Sequence, residues 1–337
     1  MAQESRSTIR TCADLLLEFK NLNYKCNSSK LNFTGVDDEK DIYNITAPFE
    51  SDGKYYIAGR VERRDSEDSD VVFFEFCGED SGKDPEGLPG GGGSTWKADG
   101  ETPVLKVQDP FVAKIGGELI VGGVEVFRSE DKPGELNYRT VFWRGTSLKD
   151  LQRFAVGPDG MKDIRLCGLS DGRILVMTRP QGAVGGRGKI GYLLLDSLEQ
   201  LNAANIEQAR ILEEQFVPEE WGGCNELHRL ADGRIGVLSH IARFDEKGDR
   251  HYYATCFCFD SRTGRYSPMK MTAVRANFAD SPAKRPDLED VIFSGGLVRM
   301  GNGRARLYCG VSDAAGHVLE IEDPFLSYEE AVCSGQD

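Results

Sequence analysis

Long apolar runs are missing from this chain of 337 residues. No stretch approaches the roughly 18 apolar residues that a membrane span requires. The opening MAQESRSTIR also lacks the apolar core of a signal peptide, so the expectation is a soluble, cytoplasmic protein with no membrane partner. Basic excess is missing too. Acidic residues outnumber basic ones 55 to 41, for a net charge of -14, which leaves no positive field to displace counterions from a nucleic acid. Histidine is scarce, with four copies at 228, 240, 251 and 317 and no metal-ligand spacing among them. The nine cysteines are odd in number and show no paired CxxC framework, which favours reduced thiols over disulfides. Cys256 and Cys258 fall on one face of a strand and read as core. Helix-period patterns are almost absent. Only TCADLLLEFKNL (11–22) and SLEQLNAANIEQARIL (197–212) predict helices.

What the chain does have is one phrase repeated five times: a small turn with Gly, then an alternating apolar strand. The copies are DGKYYIAGR (52–60), GGELIVGGV (116–124), DGRILVMTR (171–179), DGRIGVLSH (232–240) and NGRARLYCG (302–310). Their glycines, Gly53, Gly117, Gly172, Gly233 and Gly303, are spaced by 64, 55, 61 and 70 residues. Asp-Gly, Asn-Gly and Gly-Gly between apolar runs mark hairpins. A strand precedes each copy (ITAPFE, PFVAKI, IRLCGL, ELHRLA, GGLVRM) and another follows (VVFFEF, YRTVFW, IGYLLL, YATCFCF, HVLEIE). Five meanders of about 60 residues predict an all-β, five-bladed β-propeller. The predicted division is an N-terminal extension over 1–35 packing on the propeller, a catalytic propeller over 36–325 and a tail over 326–337.

In a propeller the innermost strands line a central channel. Eight or nine residues before each turn glycine stand Asn44, Asp109, Asp163, Asn225 and Ser294, all polar. One polar residue at a strand start is an ordinary cap. Five brought together by closure make a site. Arg60, Arg179 and His240 close the second strands of three copies.

Two literal motif matches lack their context. GLSDG (168–172) fits the G-x-S-x-G elbow, but ILVMT follows as a strand where the elbow needs a helix. GRGKIG (186–191) fits G-x-G-x-x-G, but YLLL follows rather than a helix that could hold a pyrophosphate. The run PEGLPGGGGSTW (85–96) reads as an insertion, with 85–101 as a lid over the channel the functional alternative. RVERRDSEDSD reads as solvated charge, Glu62 and Arg63 being the two that could face the pocket.

With these residues in view, the chain resembles the five-bladed mannoside phosphorylases of glycoside hydrolase family 130. More closely it resembles the dual-activity β-1,2-mannosyltransferase/phosphorylases of trypanosomatids. That family's Glu-Asp-Pro-Arg is matched by QDPF, which makes Asp109 the implied catalytic acid. Its Lys-Asp pair is matched by Lys162 and Asp163, its Arg-Pro by Arg179 and Pro180, and its fourth-blade histidine by His240. The asparagine before the first channel strand is matched by Asn44, the arginine of Tyr-Arg by Arg60, and the late aspartate by Asp313. Gln108 and Phe111 depart from the motif and favour the dual-activity relatives.

The resemblance implies an inverting reaction with no cofactor and no metal. Phosphate attacks a terminal β-mannosyl unit while Asp109 protonates the leaving oxygen, giving α-mannose 1-phosphate. The reverse reaction extends a β-1,2-mannan, with GDP-mannose implied as a further donor. Lys162, Arg179 and His240 are the implied phosphate-binding residues. Asn44, Arg60, Asp163 and Asp313 are the implied sugar-binding residues, with Trp96 or Trp143 as stacking faces. A β-mannoside hydrolase would need a second carboxylate as base and no such cation cluster. A non-catalytic carbohydrate-binding or interaction propeller would need no buried polar ring.

Overall fold

In the computed structural model, residues 9–22, 27–78, 89–129 and 134–333 are described. Five antiparallel meanders of four strands follow one another. The first runs through Lys40–Tyr43, Lys54–Arg63, Asp70–Phe76 and Thr95–Ala98. The second uses Gln108–Ile115, Glu118–Arg128, Leu136–Gly145 and Gln152–Val156. The third is shorter, with Arg165–Gly168, Ile174–Thr178, Gly191–Leu195 and Arg210–Ile211. The fourth uses Trp221–Arg229, Ile235–Phe244, Arg250–Phe259 and Lys270–Ala273.

The fifth meander draws on both ends of the chain. Asp290–Arg299, Arg304–Val311 and Ala315–Glu322 are joined by Asn27–Lys30, which pairs antiparallel with 317–320. Residues 27–30 therefore contribute the outer strand of the last meander. Phe33, in the neighbouring strand Asn32–Thr34, pairs with Trp96 on the first.

The repeated phrase forms a hairpin in every case. Gly53, Gly117, Gly172, Gly233 and Gly303 all have φ between 71° and 88°, a left-handed conformation that glycine adopts without strain. GLSDG is one of these hairpins, and GRGKIG leads into the strand Gly191–Leu195.

Because side chains alternate across a strand, each meander offers one apolar face to each neighbour. Five buried clusters result. Tyr56, Phe73, Leu119 and Val141 lie between the first and second meanders, and Phe111, Phe142, Leu166 and Val176 between the second and third. Leu175, Ile190, Val237 and Phe257 lie between the third and fourth. Leu238, Cys256, Ile292 and Leu307 lie between the fourth and fifth. Ile57, Phe74, Tyr308 and Val318 then join the fifth back to the first. Cys256 and Cys258 are core residues as expected, and the described cysteines are free thiols.

The first predicted helix forms over Cys12–Asn21, opened by a Thr11/Asp14 capping box. Its buried Cys12, Leu15 and Phe19 stand at helical spacing and pack with Met269 and Met271 of the fourth meander. The second predicted helix does not form as one element. Only the turns Leu198–Gln200 and Ala203–Ile206 are helical, because Asn202 is extended and caps a fresh turn by accepting from Asn205 N. The buried Leu198, Leu201 and Ile206 anchor these turns in the core. Among the described residues, no helix is long and apolar enough to cross a membrane.

Candidate active site

Among the described residues, seven non-glycine residues have positive φ, and four of them are site residues picked out from the sequence: Asn44 (46°), Asp109 (49°), Asp163 (60°) and Asp313 (51°). Asn and Asp tolerate this region better than other side chains, yet such a concentration marks a local demand on the backbone. Bulges add to it. The inner strands shift register at Gln108/Phe111, Cys224/Glu226 and Ser294/Gly296, which re-aims Asp109, Asn225 and Ser294.

The polar ring expected from the repeat is brought together in two halves. In the first, Asn44 Nδ2 donates to Asp109 Oδ1 at 2.7 Å, and Arg60 Nη1 donates to the same oxygen at 3.2 Å. Arg60 is held from behind by Glu62, which accepts from its Nη2 at 2.9 Å. Glu62 is buried, and also accepts from Tyr43, Ser69 and Lys284. Lys284 comes from the loop ahead of the fifth meander and donates further to Ser66 O at 2.8 Å. A side chain at position 310 would put its Cβ 2.1 Å from Asn44 Oδ1, so Gly310 is required for this approach.

In the second half, Arg179 Nη1 donates to Asp163 Oδ2 at 3.0 Å. Arg165 Nη2 and His240 Nε2 each lie 4.0 Å from Asp163. Asn225 donates to Ser294 Oγ at 2.9 Å, so its Oδ1 is left to accept from His240 Nδ1 at 2.7 Å. Arg165 Nε donates to Asn225 O at 2.7 Å, and its guanidinium lies over Phe111, 4.6 Å from the ring centroid. Lys162 links the halves, since its charge acts on both Asp109 and Asp163.

The carboxyl groups are tuned apart. Burial works to raise the pKa of Asp109, which is 7% exposed, but Arg60, Lys162 and Asn44 outweigh it and hold the group below its usual value. Asp163 is lowered as well, as Arg179 and Lys162 overcome its burial. Asp313 moves the other way, raised to about 6 by burial, against Arg60, with the Asp109 charge adding to the rise. Burial, only partly opposed by Asp163, takes His240 down to about 3. With Nδ1 donating, His240 is a neutral ring whose Nε2 carries a lone pair.

The eight residues singled out by sequence all lie in these two halves. Arg165 was missed as a participant, although it stands two positions beyond Asp163, whereas Glu62, which the sequence left as able to face the pocket, does turn inward to Arg60. Lys284 carried no sequence signal. Trp96 is fully buried in the core and offers no face to a sugar. Arg63 turns outward to Glu39 and Asp65. The stretch 85–101, read as an insertion with a lid as the alternative, lies in part outside the described residues, and its Thr95–Ala98 is a strand of the first meander. A cavity of about 690 Å³ lies elsewhere, between the N-terminal helix and Lys270, Met271 and Pro324.

The family model "Protein of unknown function (DUF1861)" matches residues 18–327. No curated protein matches the sequence. Among solved structures, a mannose phosphorylase from Leishmania mexicana, MPT-4, in complex with phosphate ion, is 32% identical over 94% of both chains with a TM-score of 0.82. MPT-1, a GDP-Man-dependent mannosyltransferase from the same organism, is 32% identical over 94% of this chain and 95% of its own, with a TM-score of 0.80. A β-1,2-mannobiose phosphorylase from Listeria innocua shares the fold at 15% identity and a TM-score of 0.55, covering 89% of this chain and 95% of its own. The chain belongs to the DUF1861 family and, with these Leishmania proteins, to the trypanosomatid mannosyltransferase/phosphorylases.

Proposed function

We propose that this protein is an inverting β-1,2-mannoside phosphorylase and mannosyltransferase, built as a five-bladed β-propeller with the two halves of its site around one channel. The propeller reading is supported by five meanders, five inter-meander cores and the return of the fifth onto the first. The observation that carries the function is the charge count around Asp163. Three cations, Lys162, Arg165 and Arg179, face one carboxylate in an otherwise acidic protein. The Nε of Arg179 is buried without a partner. Such a surplus suits a phosphate group. The Leishmania relatives, one a phosphate complex and one dependent on GDP-Man, support the same assignment.

In phosphorolysis a phosphate oxygen held by Lys162 and Arg179 forms a bond to the anomeric carbon of the terminal mannosyl unit. The bond to the leaving oxygen breaks on the opposite face, and Asp109 supplies that oxygen with a proton, relayed through a sugar hydroxyl. The products are α-mannose 1-phosphate and a mannan one unit shorter. In synthesis an acceptor hydroxyl attacks, Asp109 takes its proton, and phosphate or GDP departs. No second carboxylate is needed, because phosphate is itself the nucleophile. Asp109 rests ionised, the form that begins synthesis. A bound phosphate cancels part of the Lys162 field that depresses the Asp109 pKa, and so raises the proton affinity of the acid when phosphorolysis requires it. Asn44, Arg60, Asp163 and Asp313 hold sugar hydroxyls.

The test is incubation with β-1,2-mannooligosaccharide and inorganic phosphate, read by phosphorus NMR, with Asp109→Asn alongside. Mannose 1-phosphate from the unaltered protein alone supports the reading. Free mannose makes it a hydrolase. No product from either phosphate or GDP-mannose leaves a carbohydrate-binding propeller.

A further inference from the structure

Beyond the phosphate site, one face of the fourth meander carries a stack of aromatic rings that the reaction scheme leaves unused. His240, Ala242 and Phe244 alternate onto the same side of Ile235–Phe244. The register sets Trp221 and Tyr252 opposite Ala242, and Arg250 opposite Phe244. The contacts are continuous. His240 stacks on Tyr252 at 5.7 Å, Tyr252 meets Trp221 at 5.7 Å, and Trp221 meets Phe244 at 4.8 Å. Trp221 Nε1 donates to Tyr252 Oη at 3.0 Å and fixes the pair.

The outer end of this stack is open and cationic. Phe244 is 39% exposed. The Arg187 guanidinium lies 5.5 Å from its centroid and 5.8 Å from that of Trp221, while Arg250 lies 5.6 Å from Phe244. Arg250 is paired with Asp287, whereas Arg187, in the glycine-rich loop after Arg179, is exposed. That loop passes so close to Arg179 that a Cβ at Gly188 would sit 2.7 Å from its Nε. One short segment thus connects the phosphate-binding arginine to the arginine on the stack.

We propose that Phe244 and Arg187, seated on the buried Trp221, form the base-binding subsite for a nucleoside diphosphate sugar donor, with the purine stacked at Phe244 and the diphosphate at Arg179 and Lys162. The proposal rests on the functional reading above and adds the subsite to it. Four residues of strand separate His240 from Phe244, about 13 Å at the usual rise, a distance that a diphosphate and a ribose cover. An aromatic face binds a base by stacking, and a guanidinium beside it adds a cation–π contribution. A mannose 1-phosphate donor carries no base and does not reach this stack.

The experiment uses the full chain with Arg187→Ala and Phe244→Ala, both at exposed positions. Initial rates are measured with GDP-mannose and, separately, mannose 1-phosphate as donor to a β-1,2-mannooligosaccharide. Binding of GDP is followed in parallel by tryptophan fluorescence. The expected result is a KM for GDP-mannose raised about tenfold or more in both variants, a matching loss of GDP affinity, and an unchanged KM for mannose 1-phosphate. Equal loss for both donors, no loss for either, or a rise confined to the acceptor KM overturns the subsite. If the unaltered protein uses mannose 1-phosphate but does not bind GDP, the subsite falls and the phosphorylase stands. If GDP binds in a way that the variants abolish while neither donor reacts, the subsite stands and the catalytic reading falls.

Discussion

Replacing Asp313 by asparagine should stabilise the protein at neutral pH while removing a group from its site. Asp313 lies at the site with a pKa of about 6 in place of 3.8, chiefly through burial, against Arg60 and with the Asp109 charge assisting. The folded state therefore holds this proton more tightly than the unfolded chain does. Below about pH 4 both states are protonated and the group is neutral towards stability. Between about pH 4 and 6 the unfolded state ionises first, and the fold loses stability as pH rises, reaching the full cost above 6. Two pKa units at about 1.4 kcal/mol each give a ceiling near 3 kcal/mol. For a chain of this length that corresponds to about 4 °C in Tm. Asparagine carries no such charge and tolerates the left-handed φ of 51°, so it removes the cost without adding backbone strain. Urea denaturation of both proteins from pH 4 to 7.5 is the assay. The variant should match the parent at pH 4 and pull ahead with rising pH, while turnover falls. A variant no more stable at pH 7.5, or a difference independent of pH, would refute the reasoning.

The same structure fixes the outcome of other changes. Gly223→Ala places a Cβ 2.9 Å from Arg179 Cδ and 3.0 Å from both Asp163 Oδ2 and His240 Cε1. It should raise the KM for phosphate by about tenfold or more in initial-rate measurements. Arg179→Ala removes a charge-assisted contact and should weaken phosphate by about tenfold or more, with unchanged saturation counting against the assignment. Glu62→Gln takes the charge from a buried acceptor of Tyr43, Arg60, Ser69 and Lys284. Denaturant unfolding should register a loss of about 3 kcal/mol, with an undiminished midpoint as the contrary result.

The repeat was readable because each hairpin turn needs a left-handed glycine and each meander needs a face for two neighbours. Both demands leave period-2 apolar strands punctuated by Asn-Gly, Asp-Gly or Gly-Gly. The polar ring was readable from the same register, since residues eight or nine positions before the turn share one level. What stayed hidden depends on the third dimension. The strand Asn27–Lys30 belongs to the fifth meander only because the ends of the chain meet, and nothing local in NSSK says so. Lys284 reaches Glu62 across 222 residues of sequence. The stretch 197–212 has a helical period, yet Asn202 stops the first turn and caps the next, and the core takes Leu198 and Ile206 from separate pieces.

His240 marks the boundary between residue type and residue role. Its position at the end of the fourth hairpin was legible, and a histidine among phosphate ligands reads as a cation. Its burial beside Arg179, Lys162 and Arg165 makes a second proton unfavourable, and burial with these positive charges outweighs the opposing Asp163. The bond from Nδ1 to Asn225 then fixes which nitrogen is bare. A phosphate arriving at Arg179 and Lys162 changes that balance, because its negative charge offsets the two cations that help keep the ring neutral. The pKa of His240 should therefore rise when inorganic phosphate binds. Histidine ring NMR across a pH titration, with and without phosphate, tests this directly. Upward movement of the His240 titration on binding agrees with phosphate lodged among these groups, and an unmoved titration places the anion elsewhere.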